Sequence, residues 1–253
     1  MLIIVLGLIS GLLLGITGGG GAIVSVPALL YGLHMPMQIA TTMSLFVVGG
    51  SALLGTILKR KQVAWGKGLV FAILGSLFSP VGSFLAKRFS ESSLIAGFAI
   101  LMLIVAVLMF KRSNAKSPPL NNLQPSAPKN TQWLVVIVAI CTGLLTGFFG
   151  VGGGFMIVPA LVLLNKLENK TAAATSLFII SLISISSLAN KVAEIELDVK
   201  LVLIFMLGSL LGMLAGNYIS QKISNKLSQR IFAAISALLG VYMLIDSVLK
   251  FAV

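Results

Sequence analysis

The chain has 253 residues, of which 58% are hydrophobic and 9% charged, and its mean hydropathy is +1.09. A soluble domain of that composition would expose more apolar surface than water tolerates, so a bilayer is the solvent that fits. The net charge of +12 would suit nucleic-acid binding if Lys and Arg shared one polar face, but they cluster at the ends of apolar runs, which is the pattern of membrane topology.

The first apolar stretch, residues 2–33, has no basic segment ahead of it and continues beyond Gly21, so it reads as part of the mature chain and not as a cleaved signal peptide. Four successive glycines, Gly18–Gly21, interrupt it. Runs at 37–58, 68–86 and 94–110 follow, each long enough to cross about 30 Å of hydrocarbon as helix. Residues 111–131 (KRSNAKSPPLNNLQPSAPKNT) are too polar and proline-rich to bury a core and read as a solvated linker. A second glycine-bearing stretch at 133–164 is followed by runs at 171–190, 201–220 and 231–249, the last broken only by Asp246. The expected class is an all-α integral membrane protein with a first repeat at 1–110, the linker at 111–131 and a second repeat at 132–253. Each repeat comprises a glycine-broken or re-entrant first helix and three transmembrane helices. Trp65 and Trp133 flank spans as interfacial anchors do, and the lone Cys141 is expected to serve packing.

The repeat is visible directly. Displacing the chain by 132 residues aligns GITGGGGAIVSVPALL at 15–30 with GFFGVGGGFMIVPALV at 147–162, and ATTMSLF at 40–46 with AAATSLF at 172–178, giving 12 identities in 32 positions from residue 15 through 46. At an offset of 133, Gly75-Ser79-Ser83 falls on Gly208-Gly212-Gly216, two ridges of small residues that let helix backbones approach in lipid. If each glycine-broken stretch turns back inside the membrane, Lys and Arg divide 13 to 5 between the two sides; if each crosses once, they divide 11 to 7. The hairpin reading obeys the positive-inside rule better. It makes the halves an inverted repeat with both termini outside and the linker in the cytoplasm.

Irregular backbone at membrane depth survives only when buried in protein or lining a wet cavity, and two such breaks related by pseudosymmetry point to a central transport site. A half-helix that starts after the glycines presents free N–H groups and the positive end of its dipole, an arrangement that binds anions. Pro27 and Pro159 leave its start open, since each could occupy the first helical position, with Ser25 capping only the first half-helix. Four half-length helices are expected to meet near the bilayer centre. Gly11, Gly15, Gly143 and Gly147 read instead as packing glycines that tolerate modest enlargement. The motif is neither a dinucleotide fingerprint nor a Walker loop, because Phe155 stands where a third glycine belongs and no lysine follows.

The anion-site candidates are therefore Gly19, Gly20, Gly21, Gly152, Gly153 and Gly154, together with the uncharged polar residues Thr17, Thr41, Thr42, Ser44, Thr175 and Ser176. Asn190 and Asn217 lie nearer helix ends, His34 reads as a surface residue, and Asp246 as one facing headgroups. Valine at Gly20 or Gly153 should destroy the cradle, since a β-branched side chain blocks close backbone approach and resists φ > 0. With one histidine, no Gly-x-Ser-x-Gly elbow and no cluster of Asp, Glu or His, the sequence disfavours an enzyme, a metal site and any other cofactor. A cation transporter would need a membrane-embedded carboxylate that only Asp246 could supply.

The two glycine strings, each followed by A-x-x-x-S-L-F, resemble the TauE/SafE sulfite exporter family over nearly the whole chain. The resemblance implies a multi-pass carrier in a prokaryotic plasma membrane for small sulfur-containing anions such as sulfite or sulfonates, driven by the proton gradient. Its implied partners are the anionic substrate, protons and the lipid bilayer, without nucleic acid. Another small anion or carboxylate, or a non-transporting scaffold, is the alternative. In the first repeat Thr42-Met43-Ser44 departs from Ala174-Thr175-Ser176 of the second, an asymmetry that would suit an asymmetric ligand.

Overall fold

The computed structural model describes residues 1–114, 130–191 and 198–252. These residues form ten α-helices and one 3-10 turn, with no strand among them. The first five are α1 (Leu2–Thr17), α2 (Gly21–Gly32), α3 (Met37–Leu58), α4 (Trp65–Ala86) and α5 (Glu91–Asn114). The second five are α6 (Asn130–Phe149), α7 (Gly154–Leu163), α8 (Asn169–Lys191), α9 (Val199–Ser220) and α10 (Asn225–Ala252). The class is all-α as expected. Six helices, α3, α4, α5, α8, α9 and α10, are long and apolar enough to cross a membrane. Helices α5 and α6 extend into both ends of the expected linker; its interior, 115–129, lies outside the described residues, as do 192–197 of the α8–α9 loop.

Only two helices are half-length, not the four expected: α2 has 12 residues and α7 has 10, whereas α1 has 16 and α6 has 20. Gly7, Gly11 and Gly15 do not shorten α1 because each lies flat against the backbone of α9, and packing outweighs low helix propensity. The helix stops at Gly18, whose left-handed φ of 75° turns the chain while its N–H closes on the Leu14 carbonyl at 2.8 Å. Gly150 ends α6 in the same way, its N–H donating to Thr146 O at 2.8 Å.

Helix α2 then folds back along α1. The Ser10 hydroxyl donates to Gly21 O at 3.0 Å and pairs with Ser25 Oγ, and near the far end Gly32 packs on Leu6. Ser25 is therefore not a cap; its hydroxyl also donates to Gly21 O. Pro27 and Pro159 sit inside their helices, so the half-helices begin at the glycines. Pro80 inside α4 cannot donate to the Ser76 carbonyl one turn back, and Ser186 of α8 supplies the missing bond at 2.7 Å.

The two halves are threaded through each other. Helix α1 runs parallel to α9, Gly11 meeting Ser209 and Gly15 meeting Gly216, and α6 runs parallel to α4, Gly143 meeting Gly75 and Gly147 meeting Ser79. Each first helix thus packs on the fourth helix of the other half, using the small-residue ridges seen in the sequence. At these contacts an added Cβ would lie within 2.9 Å of main-chain atoms, so they do not tolerate the enlargement expected of packing glycines. Between these pairs α3 and α8 run antiparallel, with Thr41 beside Lys191, Gly49 beside Ser184 and Gly55 beside Leu177. The outward faces carry stripes of exposed apolar residues, such as Leu203, Leu207, Leu211 and Leu214 on α9, as a lipid-facing surface does. Trp65 and Trp133 are exposed among them, and Cys141 is also exposed, not packed as expected.

Candidate functional site

The tips of the two hairpins touch. A Cβ on Gly19 would lie 2.9 Å from the Gly154 Cα, and Gly18 packs on Ala173 of α8 while Gly150 packs on Thr41 of α3. Ser176 fastens the first tip to α8 by donating to Gly18 O. The backbone of the tips differs between halves. Gly20 caps α2 with right-handed φ −85° and ψ −10°, whereas Gly153 caps α7 in the left-handed region at φ 60°. The positive φ on which the valine expectation partly rests is thus absent at Gly20 and present at Gly153. At Gly20 the obstacle is space, because a Cβ would be 2.6 Å from both Thr17 Oγ1 and a Phe232 ring carbon.

Thr17 changes the picture of free donors. Its hydroxyl donates to Leu13 O at 2.7 Å and accepts from Gly20 N at 2.8 Å and, weakly, from Gly19 N at 3.4 Å. The first glycine N–H groups are therefore partly satisfied, and the donors without an intrahelical acceptor are those of the first turn beginning at Gly21. In the second half Phe149 replaces Thr17, and the turn is made by Gly152 and Gly153, both at positive φ.

A cavity of about 70 Å3 opens at the first tip, lined by Thr17, Gly19, Gly20, Gly154, Asn169 and Phe232 among others, with no charged residue among the described residues of its wall. It has room for a few waters or one small oxyanion. Both halves build it. A second cavity of about 260 Å3 lies at the other end of α8, where Gln38, Thr41, Thr42, Lys87, Phe148 and Lys191 contribute. No described cavity collects all the residues predicted from sequence. Thr17, Gly19, Gly20 and Gly154 share the first and Thr41 and Thr42 the second, while Gly21, Gly152 and Gly153 are buried beside the tips. Thr175 lines neither; its hydroxyl donates to Thr171 O and accepts from Ala64 N, fixing the approach to α4. Ser44 is fully buried and has no hydrogen-bond partner among the described residues.

Sequence reasoning missed Ser184, whose fully buried hydroxyl also lacks such a partner and would lie 3.7 Å from a Cβ on Gly152. It missed Asn169, Gln229 and Phe232 in the first cavity, and it treated Lys191 as a loop charge. Asn217 has a buried Oδ1 without a partner among the described residues; the side chain of Asn190 lies outside them. His34 is exposed and far from the tips, in a separate surface cavity with Glu91 and Tyr31. Asp246 does not simply face headgroups: its carboxylate accepts from Tyr31 Oη at 3.0 Å. No group of three His, Cys, Asp or Glu placed to hold a metal occurs among the described residues.

The family described as "Sulfite exporter TauE/SafE" matches residues 3–243. The chain belongs to the TauE/SafE family. It is 32% identical over 209 residues to the "probable membrane transporter protein YunE" of Bacillus subtilis, covering 74% of this chain and 76% of that one. A "probable membrane transporter protein" of Xylella fastidiosa is 32% identical over 203 residues, 79% of this chain and 76% of its own. One from Methanocaldococcus jannaschii is 29% identical over 197 residues, 75% and 71% respectively. No solved structure matches. As a TauE/SafE member the chain is a multi-pass membrane transporter.

Proposed function

We propose that this chain carries small sulfur-containing anions, such as sulfite or a sulfonate, across a prokaryotic plasma membrane, driven by the proton gradient, without acting as an enzyme. The observation that carries the proposal is the meeting of Gly19 with Gly154 beside an uncharged cavity built by both halves. There the first-turn N–H groups of α2, the hydroxyl of Thr17 and the amide of Asn169 supply neutral polar contacts. An anion held by dipoles and neutral groups is bound firmly enough to enter and loosely enough to leave. Labelled sulfite or methanesulfonate should accumulate in proteoliposomes that contain the protein and should respond to an imposed pH gradient. Absence of any flux for these anions, with flux for a small carboxylate, would reassign the substrate; absence of all flux would favour a scaffold.

The transmembrane arrangement belongs to the same proposal. The return of α2 along α1 and the antiparallel course of the equivalent helices α3 and α8 support reading the halves as an inverted repeat. Under an inverted topology both termini share the side with five Lys and Arg and the linker the side with 13, and the positive-inside rule makes the latter the cytoplasm. A fluorescent protein fused after Val253 should stay dark, while an alkaline phosphatase fusion there should be active. The reverse result would remove the inverted topology.

A further inference from the structure

The first cavity leads from the glycine tips toward one end of the helix bundle. Beyond Thr17, Gly19 and Gly20 its wall is continued by Asn169, the first residue of α8, by Ser228 and Gln229 near the start of α10, and by Met109 near the end of α5. Hydrogen bonds gather the neighbouring loops at the same end: Lys67 Nζ donates to Asn165 O at 2.9 Å, Ala64 N to Thr175 Oγ1 at 2.9 Å, and Ser113 Oγ to Lys226 O at 3.3 Å. The segments so gathered are basic. They are residues 59–67 (KRKQVAWGK), 164–170 (LNKLENK) and 222–230 (KISNKLSQR), and their one acid is Glu168. The linker that joins α5 to α6 has four bases and no acid in its sequence.

Charge is divided far more unevenly than the count of bases alone shows. By sequence position 13 Lys and Arg belong to this end with a single acid, whereas the five of the opposite end share it with five acids, Glu91, Glu194, Glu196, Asp198 and Asp246. The whole formal net charge of +12 thus belongs to the end toward which the first cavity leads, and the other end has none. The positive-inside rule accounts for bases on one side. It does not account for keeping acids away from that side, because Asp and Glu weigh little in membrane orientation.

We infer that this end is an electrostatic funnel: its bases, Lys170 and Lys226 foremost, raise the local concentration of small anions and deliver them to the first cavity, which binds them through neutral groups. The inference rests on the reading of the chain as a small-anion transporter and adds a capture step to it. The division of labour follows from the reach of each kind of contact. A lysine inside the cavity would hold an anion tightly, whereas exposed charges act through solvent over about one Debye length, roughly 10 Å at 0.1 M salt, and draw anions in without trapping them. Lys166, Lys170 and Lys226 are all exposed, and Lys170 directly follows the lining residue Asn169. A potential of about +30 mV at the mouth, the size that charged membrane surfaces reach, concentrates a monovalent anion about threefold and a divalent one about tenfold. It also offsets the negative potential of acidic lipids in a cytoplasmic leaflet, which would thin out an anionic substrate at an uncharged mouth.

Uptake kinetics of the full-length protein in proteoliposomes of zwitterionic lipid test the funnel, with ionic strength set by potassium gluconate, whose anion is too large for a cavity of about 70 Å3. Between about 20 and about 300 mM salt the KM for methanesulfonate should rise about threefold at constant maximal rate, and that for sulfite, the more highly charged anion, more steeply. Lys170→Gln/Lys226→Gln should raise KM about twofold at low salt and converge on wild type at high salt. Lys170→Arg/Lys226→Arg, which keeps both charges, should match wild type throughout, as should Arg88→Gln/Lys200→Gln at the opposite end. The funnel is overturned if the wild-type KM ignores salt, if the glutamine pair at 170 and 226 equals wild type at low salt, or if the arginine pair behaves as the glutamine pair does. Salt-sensitive uptake of a small carboxylate with none of a sulfur anion would keep the funnel and remove the substrate assignment. Sulfite uptake indifferent to both salt and the glutamine pair would keep the substrate and remove the funnel, and absence of all anion uptake would remove both.

Discussion

Valine at Gly20 or Gly153 should reduce anion accumulation in proteoliposomes to the level of empty vesicles while leaving protein that inserts and elutes as a single species. The two positions fail for different reasons. At Gly20 the backbone is ordinary, but the new side chain would project between Thr17 Oγ1 and the Phe232 ring and fill the cavity that both halves build. At Gly153 the φ of 60° is costly for any β-branched residue, and the Cβ would also press on Thr142 and Thr146 of α6, so the α7 N-terminus must turn away from the tip. Gly66, with nothing within 4 Å of an added Cβ, is the control: Gly66→Ala should transport as wild type does. Transport by both valine variants at the wild-type rate would show that the tips do not bind the substrate.

Alanine at Gly11 or Gly147 is expected to damage the fold rather than the site. A Cβ on Gly11 would lie 2.7 Å from the Ser209 Cα and overlap its carbonyl, and one on Gly147 would lie 2.8 Å from both Ser79 C and Ser83 N. These neighbours are helix backbone, which cannot rotate aside, so each change pushes two helices apart along their shared ridge. Overpacking of this kind costs about 1–3 kcal/mol or more. Thermal unfolding in detergent should shift down by several degrees for either variant, whereas Leu77→Ala, at a lipid-facing residue that is 67% exposed, should change stability by no more than about 0.5 kcal/mol. Unchanged unfolding of Gly11→Ala would mean that the α1–α9 contact is not as close as described.

The positions of the helix breaks and the two small-residue ridges were legible because glycine and serine at fixed spacing mean close backbone approach wherever they face. The partners of those ridges were not legible. Nothing in the local pattern of Gly208-Gly212-Gly216 says that it receives α1 and not a helix of its own half. The candidate site was read in part: Thr17, Gly19, Gly20 and Gly154 do surround one cavity. Thr175 was misplaced because a threonine near glycine loops looks the same whether it faces the cavity or caps a neighbouring turn, and only the Ala64 N–H decides it. Lys191 escaped notice because its charge was weighed for topology, although its alignment with Lys59 marked a lysine at the same helix end in each half.

The crossed pairing of first and fourth helices has a consequence for how the molecule is made. Gly11 must find Ser209, about 200 residues further along the chain, so α1 leaves the ribosome long before its partner exists. With synthesis at about 5–20 residues per second, that interval lasts on the order of tens of seconds. During it the glycine face of α1 lies open to lipid or to the insertion machinery, and α2 is the neighbour from its own hairpin that can shield the opposite side. Helix α6 waits for nothing, since α4 is already present when it emerges. The second hairpin can therefore seat as it is made, while the first must be held, and a ribosome stalled before α9 should leave an α1 that factors of the insertion machinery can still be crosslinked to.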